Sequence, residues 1–403
     1  MHVTALSLVL SFAPPEPAPA PEPSDKPDAR AIYEAVTQVV TPTALLEADY
    51  RHHADPIEGN NGFALARARL GLRLHPTDWL LAVATVELAP GSGPALLDGF
   101  ATFTATPWLE LTVGYSKPPL FASFRHEGIT TIPMPMRSPI VNEMRVRRDV
   151  GVEARFAPRR APIEAIVRIG NGSTTLENDN ATPTGYGALD LVLGRAWAGG
   201  RSEVFGLRLG AAALVDDTEE HDSIAGVTPL GYVYAQPALA SGLRAIATTH
   251  AIAYAGPVRL VVEGAFVQEG RRDDHDGDPS TAAIELDPVR SWGLTGELTW
   301  TIRGGWREVG HAPAVASLLA PGGWDGGAVE LGFRADRFWL GRGAADLFRT
   351  GGTTMSLASK WWPTRFLALT LYGDATRFDA PPVDTPDRNW GWTVLLRASF
   401  FWG

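Results

Sequence analysis

The segment Phe63-Ala-Leu-Ala-Arg-Ala-Arg-Leu-Gly-Leu-Arg-Leu74 decides the fold. Its even positions, Ala64, Ala66, Ala68, Leu70, Leu72 and Leu74, are all apolar, while its odd positions include Arg67, Arg69 and Arg73. A period of two marks a β-strand whose two faces meet different surroundings. In a soluble sandwich the apolar face would be the core and the arginines would meet bulk water. In a membrane barrel the apolar face meets lipid and the arginines line a wet lumen.

Extending the alternation outward gives strands near 41–52, 61–75, 78–90, 96–105, 107–116, 147–157, 163–171 and 184–198. The second half adds 203–215, 242–255, 257–269, 288–302, 327–338, 352–362, 364–378 and 388–402. Sixteen strands is an even number, as single-chain bacterial barrels require. The connections choose between the two solutions. His75-Pro76-Thr77, Ala105-Thr106-Pro107, Pro158-Arg159-Arg160-Ala161, Gly199-Gly200-Arg201, Ala255-Gly256-Pro257 and Trp362-Pro363-Thr364 read as tight turns. They alternate with long polar links at 116–146, 172–183, 216–241, 270–287, 339–351 and 379–387. Short turns at one rim and long loops at the other are the asymmetry of an outer-membrane barrel. One link breaks the rule: 303–326 should be short and is long. Trp79, Trp108, Trp197, Trp339, Trp361, Trp362, Trp390 and Trp392 fall at strand ends, where an aromatic girdle belongs. The last strand, Leu395 to Trp402, is itself aromatic.

The longest early link carries the candidate site. Between Lys117 and Asp149 the period disappears, and six basic residues gather in about thirty positions: Lys117, Arg125, Arg137, Arg145, Arg147 and Arg148. A structureless stretch this long inside a compact domain counts against the assignment unless the loop is functional. The expectation is that it folds into the mouth of the barrel as a constriction; the alternative is a solvated surface loop. Locally its arginines meet only Glu127, Glu143 and Asp149, so a surplus of positive charge would sit where the pore is narrowest, and rings of Arg or Lys there favour anions. The wall contributes Arg67, Arg69, Arg73, Arg155, Arg168, Arg208, Arg259, Arg334 and Arg397 on the inward parity. Against them stand Glu87, Glu110, Glu153, Glu164, Glu263, Glu297 and Glu330, and most wall arginines are expected to pair across neighbouring strands.

Composition narrows the class. The 403 residues carry a formal charge of −10, which argues against a nucleic-acid partner. There is no cysteine, so thiolate chemistry, disulfides and cysteine metal sites are excluded. Of 35 basic residues only Lys26, Lys117 and Lys360 are lysines. Arginine's planar fork suits oxyanions, although a G+C-rich genome produces the same bias. No apolar run reaches about eighteen residues, as a membrane-spanning helix would need. The acidic runs Asp216–Asp222 and Asp273–Asp278 lack a calcium-loop register and read as solvated loops. The nine histidines show no ligand spacing, and no nucleophile elbow, His-Glu-x-x-His or phosphate-cradling loop is present. No catalytic residue, cofactor or metal is assigned.

Residues 1–13 resemble the apolar region of a secretory signal peptide without its charged leader, and are expected to be a truncated or weak signal. Residues 14–40 are a Pro-, Ala- and Glu-rich spacer, with a short helix expected over 29–40. The barrel domain spans 41–403.

These motifs resemble the phosphate-selective porin O and P family over about residues 45–403. The likeness rests on Arg67-Ala-Arg-Leu-Gly71, Gly114-Tyr-Ser-Lys-Pro-Pro119 and Arg148-Asp-Val-Gly-Val152. Asn171-Gly172, Leu294-Thr-Gly-Glu297 and Val329-Glu-Leu-Gly-Phe-Arg334 extend it. The resemblance implies a sixteen-stranded, trimeric outer-membrane channel with loop and wall arginines as an anion path, bracketed by Lys117 and Arg148. It departs from the family in its scarcity of lysine and its acidic outer loops. The sequence therefore predicts an all-β transmembrane antiparallel barrel of about sixteen strands, with a long third loop folded into the lumen. As a protein it would be a bacterial outer-membrane porin, passing small hydrophilic solutes with an anion preference, and not an enzyme. The rivals are a plugged or enzymatic barrel, which would need an apolar luminal path or a Ser/His pair at a rim, and a soluble secreted β-protein. Freely soluble behaviour without detergent would mark the last.

Overall fold

A computed structural model describes residues 39–402, apart from 55–60, 90–92, 173–175, 177–181, 195–204, 274–283, 308–310 and 316–325. The signal-like segment, nearly all of the Pro-rich spacer, the 199–201 turn, Trp197 and residues 274–278 of the second acidic run lie outside the described residues.

Strands β1 (Val40–His53), β2 (Gly62–Thr77), β3 (Leu80–Glu87), β4 (Ala95–Thr106) and β5 (Leu109–Ser116) come first. The link to β6 (Asp149–Phe156) contains two single-turn helices, α1 (Ala122–His126) and α2 (Pro139–Glu143). Strands β7 (Ile163–Gly170), β8 (Thr184–Leu193) and β9 (Phe205–Asp222) follow. A small hairpin, β10 (Gly226–Val227) and β11 (Val233–Ala235), separates them from β12 (Leu239–Ala255) and β13 (Val258–Asp273). The chain ends with β14 (Ile284–Arg303), β15 (Ala328–Arg342), β16 (Thr350–Thr364), β17 (Leu367–Phe378) and β18 (Trp390–Trp402). All but β10 and β11 pair antiparallel with their neighbours into one closed barrel of sixteen strands, and β1 pairs with β18 to shut the ring.

The burial pattern is inverted relative to a water-soluble fold. Along β18, Thr393, Leu395, Arg397 and Ser399 are buried, while Val394, Leu396, Ala398 and Phe400 are exposed. Arg397 is 1% accessible and Leu396 is 53%. Exposed Leu, Val, Ile and Phe recur on the outer face of nearly every strand. A closed ring satisfies every ladder hydrogen bond internally, and its apolar exterior matches hydrocarbon, so the barrel is a membrane-spanning one. Among the described residues no helix is long and apolar enough to cross a membrane.

Several expectations are corrected. Two of the tight turns fall two or three residues later than the Pro signals suggest: His75–Thr77 belongs to β2, and the reversal is Asp78–Trp79; Trp362–Thr364 belongs to β16, and the reversal is Arg365–Phe366. Asp216–Asp222 is not a loop but the end of β9, where Asp216 accepts from Arg244 Nε at 3.0 Å and Thr184 Oγ1 at 3.0 Å. Trp362 is fully buried, donating to Glu330 Oε2 at 3.0 Å, so it is no girdle residue; Trp79, Trp108 and Trp390 are exposed as expected. In the deciding strand itself, Glu47 pairs with Arg67 but Ala48 pairs with Leu65. Ala66 is the extra residue of a β-bulge, so parity reverses there. Phe63 and Leu65 face outward, and Ala64 stands opposite the buried Asp49.

Candidate pore constriction

Residues 117–148 leave β5 and bond to strands far round the ring. Thr248 Oγ1 on β12 donates to Leu120 O, and Ser123 N donates to Glu263 Oε1 on β13 at 3.0 Å. Ser138 Oγ donates to Asp336 Oδ1 on β15 at 2.6 Å, and Arg334 Nη1 to Met136 O at 2.6 Å. Lys360 Nζ on β16 reaches Ile132 O at 2.9 Å, and Arg397 Nη1 on β18 reaches Pro135 O. Burial of Leu120, Phe121, Phe124, Ile140, Val141 and Met144 against Tyr186, Leu214, Ile246, Val267 and Phe338 supplies the apolar part of the fit. The periodless stretch is therefore not structureless. Ser138 caps α2 by accepting from Ile140 N at 3.2 Å, with Pro139 at the first helical position.

Four cations converge on one ring. Lys117 Nζ lies 4.8 Å from the centroid of Phe124, and the guanidinium carbons of Arg137, Arg145 and Arg148 lie at 5.2, 3.9 and 5.9 Å. These are cation–π distances. Their other partners differ. Lys117 donates to Phe124 O at 2.8 Å; buried Arg137 donates to Ser123 O at 2.9 Å and to Glu127 O. Arg148 holds Asp98 on β4 with two bonds, at 2.8 and 3.3 Å. Arg145 bonds Asn142 Oδ1 at 3.0 Å through Nη2, but its buried Nε and Nη1 have no hydrogen-bond partner. Burial, then the charges of Arg137 and its neighbours, pushes the pKa of Arg145 and of Lys117 well below the ordinary range. Arginine still stays protonated in a protein.

The remaining sequence candidates have defined places. Arg125 forms a bidentate pair with Glu153 on β6 at 2.6 and 3.0 Å. Arg67 pairs with Glu47, and Arg69 Nε with Glu87 at 2.6 Å. Arg73 and Arg147 are exposed. The expectation that loop arginines would meet only loop carboxylates is corrected for Arg125 and Arg148, whose partners Glu153 and Asp98 come from the wall. Wall arginines pair as cross-strand logic requires: Arg155 with Glu110 and Glu164, Arg208 with Asp190 and Glu164, Arg259 with Glu297, and Arg397 with Glu47 and Asp49. Sequence reasoning missed Phe124, the hub of the cluster. An aromatic among Lys and Arg was its only signal, and that is a weak one without the fold.

The two arcs of the wall differ. On the arc where the loop packs against β12 to β18, Arg334 is 0% and Arg397 1% accessible. On β2 to β5, the inward Arg67, Arg69, Glu87, Asp98, Thr102 and Thr112 stay partly accessible, as does Arg148 beside them.

The closed barrel and its polar interior define the class as a porin-type transmembrane β-barrel. Solved structures of this fold include in-vitro folded OmpT in its trimer form, an outer membrane protein of Vibrio cholerae, at TM-score 0.56 and 10% identity over 90% of this chain and 99% of that one. An anion-selective porin from Comamonas acidovorans matches at TM-score 0.55 and 11% identity over 90% and 99%. The outer membrane channel DcaP of Acinetobacter baumannii matches at TM-score 0.56 and 9% identity over 90% and 97%. At these identities the likeness is one of fold. No protein-family model matches the chain, and no curated protein matches it in sequence.

Proposed function

We propose that the chain is a passive channel of the bacterial outer membrane, admitting small hydrophilic solutes through a constriction made by residues 117–148 and favouring anions there. The observation that carries the reading is the cluster of Lys117, Arg137, Arg145 and Arg148 round Phe124, in which Arg145 keeps two buried nitrogens without hydrogen-bond partners. Donors preorganised in a site of low dielectric stabilise a passing anion more than water-exposed donors would. The loop crosses the lumen in this reading, because its bonds reach from β12 to β18, and solutes pass on the β2 to β5 side, past Arg67, Arg69, Arg73 and Arg147. The anion-selective porin of the same fold and the motifs that resemble those of phosphate-selective porins O and P are the support for chloride and phosphate as solutes. A homotrimer is proposed on the same resemblance. Transport of this kind requires no catalytic group and no cofactor.

The test is the zero-current potential of the purified protein in a planar bilayer across a salt gradient. A value displaced toward the chloride potential, and moved back by Arg145→Gln and Arg148→Gln, is expected; phosphate should then block the chloride current. Cation preference would assign control to the wall carboxylates, and an absence of conductance would make the barrel a plugged one.

A further inference from the structure

A second cluster includes the last residue of α1 and has none of the four cations that surround Phe124 among its members. Along one rung of the barrel, Glu164 on β7 stands opposite Asp190 on β8, Asp190 opposite Gly210 on β9, and Gly210 opposite His250 on β12. Asp190 and His250 belong to strands separated by β9, roughly 9.5 Å across two ladder spacings. They nevertheless meet, with His250 Nε2 3.0 Å from Asp190 Oδ1. Gly210 makes this contact feasible, since a Cβ there would fall on Asp190 Oδ1 and within 2.7 Å of His250 Nε2. His126, the last residue of α1, reaches the same carboxylates: one ligand-capable atom from each of His126, Glu164 and Asp190 lies within 4.8 Å of the others.

Two features separate this group from an ordinary wall ion pair. Both ring nitrogens of His250 and the Oδ1 of Asp190 are buried and make no hydrogen bond, although two of these atoms are only 3.0 Å apart. Atoms that each sit about 2.1 Å from one ion, at angles of 90–110°, are about 3.0–3.4 Å from one another. The observed separation is that of adjacent ligands. The side chain of His250 is 4% accessible, so water is not the evident partner. Meanwhile Arg208 occupies Asp190 Oδ2 and both oxygens of Glu164, and Arg155 adds a bond to Glu164 at 2.6 Å. Those bonds hold the Asp190 carboxylate in orientation with Oδ1 left over, which is the office of an outer-shell partner.

We propose that His126, His250 and Asp190 Oδ1, with Glu164 behind them, form a binding site for a divalent transition cation of the zinc type. Two imidazoles and one carboxylate suit zinc, nickel or copper and not calcium or magnesium, which take oxygen. Three protein ligands leave a fourth position for water. Because His126 comes from the loop and the other two from the wall, the ion ties α1 to β8 and β12 and fixes the loop that narrows the pore.

The full-length protein in detergent, stripped with chelator, is titrated with Zn²⁺ alone by calorimetry, with Ca²⁺ as the comparison. One Zn²⁺ per chain is expected, with no Ca²⁺ response, and affinity falling about tenfold or more in His126→Ala and in His250→Ala. Zinc should also raise the temperature of heat-modifiable gel migration in the wild type and not in either variant. Heat-modifiable migration without zinc establishes that each variant folds. Should His250→Ala fail to fold, His126→Ala decides, since it lies outside the ladder. Absence of stoichiometric zinc binding overturns the proposal, and so does binding that survives the histidine substitutions unchanged. Neither outcome depends on conductance.

Discussion

Glu127 shows how a single carboxylate holds the loop. It accepts from the Tyr254 hydroxyl at 2.8 Å and Arg259 Nε at 2.7 Å, and it meets Arg259 Nη2 as well. Burial by itself would raise its pKa, but the Arg259 charge and these hydrogen bonds outweigh burial and hold the carboxyl below its ordinary 4.5. A group with a depressed folded pKa contributes stability that is fully present above the ordinary value and is lost as pH falls below it. Glu127→Gln should therefore cost about 3 kcal/mol at neutral pH, the low end for breaking a buried pair, because Arg259 keeps Glu297. Denaturant unfolding in detergent measures the difference between the two proteins, which should narrow below about pH 4.5. A difference constant down to pH 3 would remove Glu127 from this role.

At the scale of elements, α2 is a five-residue helix whose order rests on its cap. Ser138 serves both α2 and Asp336, so Ser138→Ala removes two hydrogen bonds and should cost about 1–2 kcal/mol. Single-channel recording should show a noisier open level at unchanged selectivity. The bulge on β2 makes a sharper claim. Deleting Ala66 leaves Phe63 and Leu65 outward and Arg67 inward, so heat-modifiable migration should persist. Deleting Ala68 sends Arg67 toward lipid, at about 2–4 kcal/mol near the bilayer midplane, and the folded band should be lost. These elements also show what the sequence discloses. Strand after strand is legible because the chemical difference between lipid and lumen is written locally, in adjacent residues such as Leu396 and Arg397. The site is legible only in part. Lys117 and Arg148 lie within one loop, but their convergence on Phe124 depends on how that loop turns. Register is not local at all: Arg148 finds Asp98, Arg125 finds Glu153, and Asp190 finds His250, across ladders that no short window contains.

For the whole molecule, the division of the wall into a covered arc and an open arc predicts which charges govern flow. Arg69→Gln, on the open arc, should change the reversal potential and leave the melting behaviour nearly unaltered. Arg397→Gln, on the covered arc, should do the reverse, because Arg397 holds Glu47, Asp49 and Pro135 O together. Equal effects of the two on current would contradict the division. That same Arg397 sits at the seam between the first and last strands, where Ala44 to His53 pair with Trp402 to Thr393. The ring's final ladder thus joins residues some 350 positions apart, the costliest loop closure in the chain. Until it forms, both β1 and β18 are open edges able to pair with other chains. Assembly must wait for the carboxyl-terminal strand, and the buried Arg397 with its two carboxylates acts as a latch that rewards only the correct partner.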